Sequence, residues 1–510
     1  MFRIVSLVCL VLFRLIVVAQ SDHEKKKELK EMSVINASIV THYDSQKKNF
    51  HYNVESQGGV TSEKAVPFWL RSNQYGSVPL SGPSFGLIAG VSKTYDTTKK
   101  FFHYGFGFQG RFNAGRSTQF SLLEGYAKIK LSVFELKVGR SKEFTGLVDS
   151  TLSSGAFAIS GNALGIPKLQ LSIPEYVVVP LTLKLLSIKG GFSHGWLGRY
   201  EIYFRGNENV ITYFHQKYLY AKIGRPHWRF HAFGGFNHQV FWGNEETVYG
   251  ARWTQSLFDT YTNVVFGRTT RLEKVEKSKV GNALGSIDLG AEYAFKRFKI
   301  FAYHQFFYDV GALYYLANVK DGLTGLSVTN TIKNKKVRMN KVLVEYFYSV
   351  DQAGYPWSKR TPSGDEDYYN NYYYIKGWSY QQAGLGNPLI TSREFAQKGF
   401  PVSKADYFIN NRVTAIHMGL DMNINKVNLI LKATASNNLG TFSTSPFGSS
   451  LGPRFNKPVG KFKESKQYSF YLEGQKPLKN KFYVGTAVAF DFGDLLNNSA
   501  GVILKVGRSL

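Results

Sequence analysis

Residues Lys217–Gly243 read KYLYAKIGRPHWRFHAFGGFNHQVFWG. In the second half, Trp228, Phe230, Ala232, Gly234 and Phe236 share one face at period two. Arg229, His231, Gly235, Asn237 and Gln239 take the other, with Phe233 the apolar exception. A period of two is that of a strand, and the preceding run alternates Leu219, Ala221 and Ile223 against Tyr218, Tyr220 and Lys222. Between them Arg225-Pro226-His227 supplies the punctuation of a tight hairpin. From Trp228 to His238 a strand tilted by ~45° climbs roughly 23 Å, the height of the apolar band of a membrane barrel. Trp228 and Phe241-Trp242 then fall where two aromatic girdles would lie. This assignment puts Ala232 on the lipid face and Gly235 on the lumen face. An arginine at Gly235 should therefore cost less than one at Ala232, unless it clashes.

The same alternation recurs along the chain. Phe102, Tyr104, Phe106 and Phe108 oppose His103, Gly105, Gly107 and Gln109. Ile287, Leu289, Ala291 and Tyr293 oppose Ser286, Asp288, Gly290 and Glu292. Val427, Leu429 and Leu431 repeat it, as do Tyr468, Phe470 and Leu472, and the last strand alternates Val502, Leu504 and Val506. One face is thus apolar and the other polar or small, an arrangement that a dry sandwich core would not tolerate. The expected fold is all-β: a transmembrane antiparallel up-and-down β-barrel of about 18 strands with long extracellular loops. Short turns are expected at Ser132-Val133, Arg225–His227 and Lys296-Arg297. Long connections are expected over Ser141–Pro180, Tyr308–Lys336, Asp351–Asn411 and Ser436–Ser465.

Composition agrees. The chain has 40 Phe, 32 Tyr and 49 Gly against 15 Pro, a mix suited to aromatic-faced strands and poor for helices. Residues 1–19 combine Arg3, an apolar run and the small end Val17-Val18-Ala19, the pattern of a cleaved signal peptide. The one cysteine, Cys9, lies within it, which leaves the exported chain no disulfide and no thiolate. Residues 20–66 read as an N-terminal arm with early strand-like segments (Val34–His42 and Asn49–Val54), and 67–510 as the barrel. The net charge of +27 calls for an anionic counterpart. Lysines alternating within the strands of an exported chain exclude nucleic acid and favour anionic polysaccharide or lipopolysaccharide phosphate.

Several segments are familiar. PFWLRSNQYG (Pro67–Gly76), SGNALGIPKLQLSIPEY (Ser160–Tyr176), the hairpin above, YHQFFYDVGALYYLANVKDGLTGL (Tyr303–Leu326) and KGWSYQQAGLGNPLI (Lys376–Ile390) resemble the Wzi-type capsule-assembly family. The resemblance implies a monomeric barrel in the bacterial outer membrane. Such a barrel would hold capsular polysaccharide on the cell surface and carry out no catalysis.

No chemistry in the residues argues otherwise. His231 and His238 are seven apart and face opposite sides of one strand, so they cannot share a metal ion. His194 follows Ser193, but no Asp spacing or Gly-x-Ser-x-Gly elbow completes a triad. Asp365-Glu366-Asp367 lacks the alternating ligands of a calcium loop and reads as a solvated tip. No cofactor and no metal are expected. The ligand contacts are expected in Asp351–Asn411, from Tyr355, Trp357, Arg360, Tyr369, Tyr373, Lys376 and Trp378. There, rings would stack on sugar CH faces and cations would pair with a uronate or phosphate. A porin-like diffusion channel is the alternative, since polar inward faces do not say whether the lumen is open.

Overall fold

The computed structural model describes residues 49–510 except 97–100, 117, 203–208, 271, 273–278, 333–335, 355–356, 359–360, 362–364, 372, 403–405, 442 and 445–459. The expected signal peptide and the strand Val34–His42 lie outside the described residues, as do the candidates Tyr355 and Arg360.

Eighteen antiparallel strands form one sheet, each paired with its neighbours along the chain. The first, β1 (Phe50–Thr61), closes on the last, β22 (Ser499–Ser509), in a register running from Asn53 opposite Ser509 to Thr61 opposite Gly501. The wall therefore begins upstream of Pro67. Closure removes every sheet edge, which is what permits strands to cross a bilayer. No helix among the described residues is long and apolar enough to cross a membrane. The outer face carries an apolar belt that includes Val54, Phe108, Leu171, Leu219, Leu289 and Leu504, all exposed. A surface of that size and character is one that lipid covers.

The opening stretch forms β8 (Asn209–Ile223) and β9 (Phe230–Trp242), with Tyr220 opposite Gly235 and Ile223 opposite Ala232. Phe230 and Phe236 are exposed on the outer face, while His231, Asn237 and Gln239 are buried inside. Ala232 lies opposite Ile223, the last residue of β8, toward the short-turn end of the lipid face, so arginine there should cost less than the about 2–4 kcal/mol of the bilayer midplane but more than nothing. Equilibrium unfolding in lipid vesicles measures this, and a loss within error would displace Ala232 from the lipid face. The milder cost expected at Gly235 does not hold. A Cβ there would lie 2.3 Å from the ring of Tyr220 and 2.4 Å from the Leu219 carbonyl. Inside the wall a tyrosine lies across a glycine of the next strand, and Gly325 under Tyr303 repeats the device at 2.2 Å. That is the close approach these glycines allow.

Connections sort by end. One end holds turns such as 132–133, 295–297 and 425–426. The other holds 62–83, 141–167, 243–281, 309–321, 349–412 and 439–464. This asymmetry assigns the first end to the periplasm and the second to the exterior. Two of the expected long connections are shorter than the sequence suggests. Ser141–Pro180 contains β6 (Lys168–Val178), whose alternation is interrupted by Pro174, and Tyr308–Lys336 contains β12 (Gly322–Asn330), whose alternation is blurred by one glycine on each face, Gly322 outside and Gly325 inside. The connection 349–412 also carries β14 (Ser379–Tyr380), β15 (Ala383–Gly384), β16 (Thr391–Ser392) and β17 (Phe408–Asn410), which pair as two small sheets separate from the wall sheet.

Candidate functional site

Three of the long connections turn inward. Pro67 opens a short helix, α1 (Phe68–Arg71), whose Trp69 is buried with its indole N–H donating to Thr434 Oγ1 at 3.1 Å. The Trp69 ring lies 5.0 Å from that of His417, which faces the lumen. His417 Nε2 donates to the carbonyl of Leu152 at 2.7 Å, anchoring the segment 145–167 to the wall. Glu345, inward on β13 (Val337–Tyr348), accepts from Ser153 Oγ at 2.6 Å, Ser154 N–H at 2.7 Å and the Tyr303 hydroxyl. Lys341 pairs with Asp149 at 2.6 Å. Phe157 stacks on Phe307 of the wall with centroids 4.0 Å apart.

The third segment, within 349–412, packs against the second. Ser160 Oγ donates to the Gly386 carbonyl at 2.6 Å, Asn162 Nδ2 to Gly384 at 3.0 Å, and Asn387 Nδ2 to Gly155 at 2.5 Å. Together the segments make a plug with its own buried core, and the polar inward face of the wall supplies its partners. The bonds of Ser160, Asn162, Asn387 and Glu345 match buried donors with acceptors across these contacts.

This packing decides the fate of the expected ligand contacts. Trp378 is fully buried, stacked on Phe241 at 4.2 Å, with its indole N–H donating to Ala158 O at 2.8 Å. Tyr369 is buried too, and its hydroxyl donates to Phe157 O. Both hold the plug and present nothing to a ligand in this conformation. Asp365-Glu366-Asp367 is likewise no solvated tip. Glu366 is fully buried and accepts from the N–H groups of Val310, Gly311 and Ala312 at 2.9–3.1 Å. Asp321 accepts from Asp351 N–H, Gln352 N–H and the Tyr368 hydroxyl, and burial pushes its carboxyl up to about 7.

Those two carboxylates set the external rim. By gripping both ends of 309–321 they lift the turn Ala312–Tyr315 outward, leaving Tyr314 86 % exposed with Tyr315 edge-on at 5.1 Å. Ser358 bonds to the Ala317 carbonyl, so the neighbouring Trp357 sits beside this turn. Trp357 is half-buried, with the Arg412 guanidinium 5.0 Å from its ring centroid. Tyr373 is half-buried, and its hydroxyl meets that of Tyr249 at 2.7 Å. Lys376 is half-buried, 3.8 Å from Glu201. Trp357, Tyr373 and Lys376 therefore reach the exterior, and Tyr314 and Tyr315 join them. That pair lies outside the contacts expected from the sequence; the adjacent tyrosines next to Gly311 were the available signal.

The fold and its filling define a class: a transmembrane β-barrel stoppered from outside by its own connections. The chain belongs to the family of the capsule assembly protein Wzi, whose family model matches residues 20–397. The strands that complete closure, from Val413 onward, lie beyond that match. Among solved structures, the chain is similar to Wzi of Escherichia coli, an outer-membrane protein involved in group 1 capsule assembly and described as a carbohydrate-binding β-barrel. The two share 10 % identity over 89 % of this chain and 83 % of that one, with a TM-score of 0.51. OprD of Pseudomonas aeruginosa gives 9 % identity over 91 % and 94 %, with a TM-score of 0.44. OccAB4 of Acinetobacter baumannii gives 8 % over 91 % and 99 %, with a TM-score of 0.42. No curated protein sequence matches the chain.

Proposed function

We propose that this chain is an outer-membrane barrel that binds capsular or other surface polysaccharide at its external rim and helps attach or assemble it on the cell. It works by binding, without catalysis, as a monomer. The observation that carries the reading is the inward fold of the long connections in a member of a capsule-assembly family. Stoppering the lumen removes the passage a diffusion channel needs, yet leaves tyrosine and tryptophan rings on the outside. Rings of that kind stack on sugar CH faces. The charge of +27 favours an anionic polymer, and the outer-membrane lipopolysaccharide is a second anionic neighbour.

The contact set proposed is Trp357, Tyr373 and Lys376 with Tyr314 and Tyr315; Tyr355 and Arg360 remain proposed members. Stacking and charge should fail differently. Trp357→Ala with Tyr314→Ala should release polymer from washed cells with little dependence on salt. Lys376→Gln with Arg360→Gln should instead flatten the salt dependence, because exposed charges are screened over about 8–10 Å at ordinary ionic strength. The measurement is the fraction of surface polymer kept after washing at two salt concentrations. Variants that retain polymer like the parent, when deletion of the whole protein sheds it, would move the site elsewhere. Deletion that leaves the polymer in place but slows solute uptake would favour the channel.

A further inference from the structure

The connection after β9 behaves unlike the plug: over 243–270 it leaves the rim and turns back down the outside of the wall. Direction follows from register. On β7 (Leu186–Glu201), β8 and β9, His194, His215 and Val240 are cross-strand partners, and so are Phe192, Lys217 and His238. Two residues further along the same face, Leu219 and Phe236 are exposed on the apolar belt. His194, His215, Lys217 and His238 therefore point outward, where acyl chains would otherwise meet them. Unshielded groups of this kind on a lipid face are costly.

A ten-residue helix covers them. Ser256 caps α3 (Leu257–Phe266), accepting from Asp259 N–H, and Gly267 ends it in the left-handed region. (The short helix before it, Glu245–Tyr249, is α2.) Thr260 and Val264 are buried against the wall, in a cluster with Val240, Trp242 and Val280. The Tyr261 ring stands 5.6 Å from that of His194 and 5.8 Å from that of His215. Lys217 Nζ donates to the carbonyl of Val265. Facing away from the wall, Phe258 and Phe266 are 72 and 63 % exposed beside the polar Asp259 and Thr262, and Leu257, at the first position of the helix, is 68 % exposed.

We propose that the strap 243–270 is a membrane-interface anchor, with α3 presenting Leu257, Phe258 and Phe266 to the acyl chains of the outer leaflet. The exposed face continues the apolar belt, and α3 lies at the level of Trp196 and Trp242, where an outer aromatic girdle is expected. Exposed Asp259 and Arg268 mark its polar ends, and the Arg268 guanidinium lies 5.0 Å from the Phe266 ring, its stem free to carry the charge toward headgroups. The strap thus lays a helix over the cluster of polar groups that His194, His215, Lys217 and His238 place on the outer wall.

The test uses the full chain in a Cys9→Ser background, with Phe258→Cys or Leu257→Cys carrying a bimane fluorophore and Tyr314→Cys as the aqueous reference. Each is reconstituted in phosphatidylcholine nanodiscs, and folding is checked by heat-modifiable migration. Spin-labelled acyl chains should quench the labels at positions 257 and 258, and iodide should quench the one at 314. If iodide quenches positions 257 and 258 as strongly as 314 while spin-labelled lipid leaves them bright, the strap stands in water and the proposal is overturned. Using two adjacent positions separates a local effect of either label from the placement of the helix.

Discussion

Replacing residues 350–412 with a short glycine-serine turn should convert a silent barrel into a conducting one. The flanking strands already form a hairpin pair, with Tyr348 opposite Thr414 in the ladder between β13 and β18 (Val413–Ile424). A tight turn can therefore join them, and a shorter loop lowers the closure cost. What disappears is half the plug: Trp378 on Phe241, Tyr369 on Phe157, and the backbone acceptors Gly384 and Gly386 that bind Asn162 and Ser160. The segment 145–167 would keep its wall contacts at Glu345 and His417 but lose its inner face. In planar bilayers the parent should show no steps, and the shortened barrel should show large, stable ones. A shortened barrel that folds and stays silent would mean that the remaining segments seal the lumen alone.

The second large effect is expected at Glu345→Ala. This carboxylate receives three donors, two from the plug and one from Tyr303 of the wall, and it is 1 % exposed. Each buried donor left without an acceptor costs about 1–3 kcal/mol, and the truncation leaves a cavity besides. Plug and wall should separate first, seen as new protease cleavage within 145–167 before any change in strand content. Glu345→Gln keeps an acceptor oxygen and should lose much less. Equal losses from both variants would show that charge, and not the count of acceptors, holds the joint.

The wall was legible because lipid and lumen impose opposite demands on alternate residues. Phe102 to Phe108 against His103 to Gln109 could be read without any tertiary knowledge. β6 and β12 were less so, since proline and glycine blur a period of two. The plug was not legible. Trp378 and Trp357 both lie in one aromatic connection, and nothing local distinguishes the ring that stacks on Phe241 from the one beside an arginine at the rim. Burial there depends on partners far away in the chain, such as Ala158 and Phe157. The same holds for Asp365-Glu366-Asp367, which reads as a solvated tip until the backbone of 310–312 arrives to bind Glu366. The strap escaped for another reason: Leu257, Thr260, Tyr261 and Val264 follow a helical spacing inside a chain otherwise read at period two.

The closing seam between β1 and β22 has a consequence for how such a molecule is made. The two strands that meet there are the first and last of the described wall, so the hoop cannot shut until β22 has been delivered. The plug segments hang from the far rim, whereas the chain reaches its membrane from the side of the short turns. Segments 67–77, 145–167 and 349–412 must therefore be carried across while the hoop is still open, or threaded in afterward through a mouth that they themselves fill. The first route links stoppering to insertion, so in the cell a damaged plug would delay closure and lengthen the exposure of the open hoop to periplasmic proteases. Quality control of the stopper would then come without a dedicated checkpoint: a barrel that fails to pack its own interior would seldom survive to reach the surface.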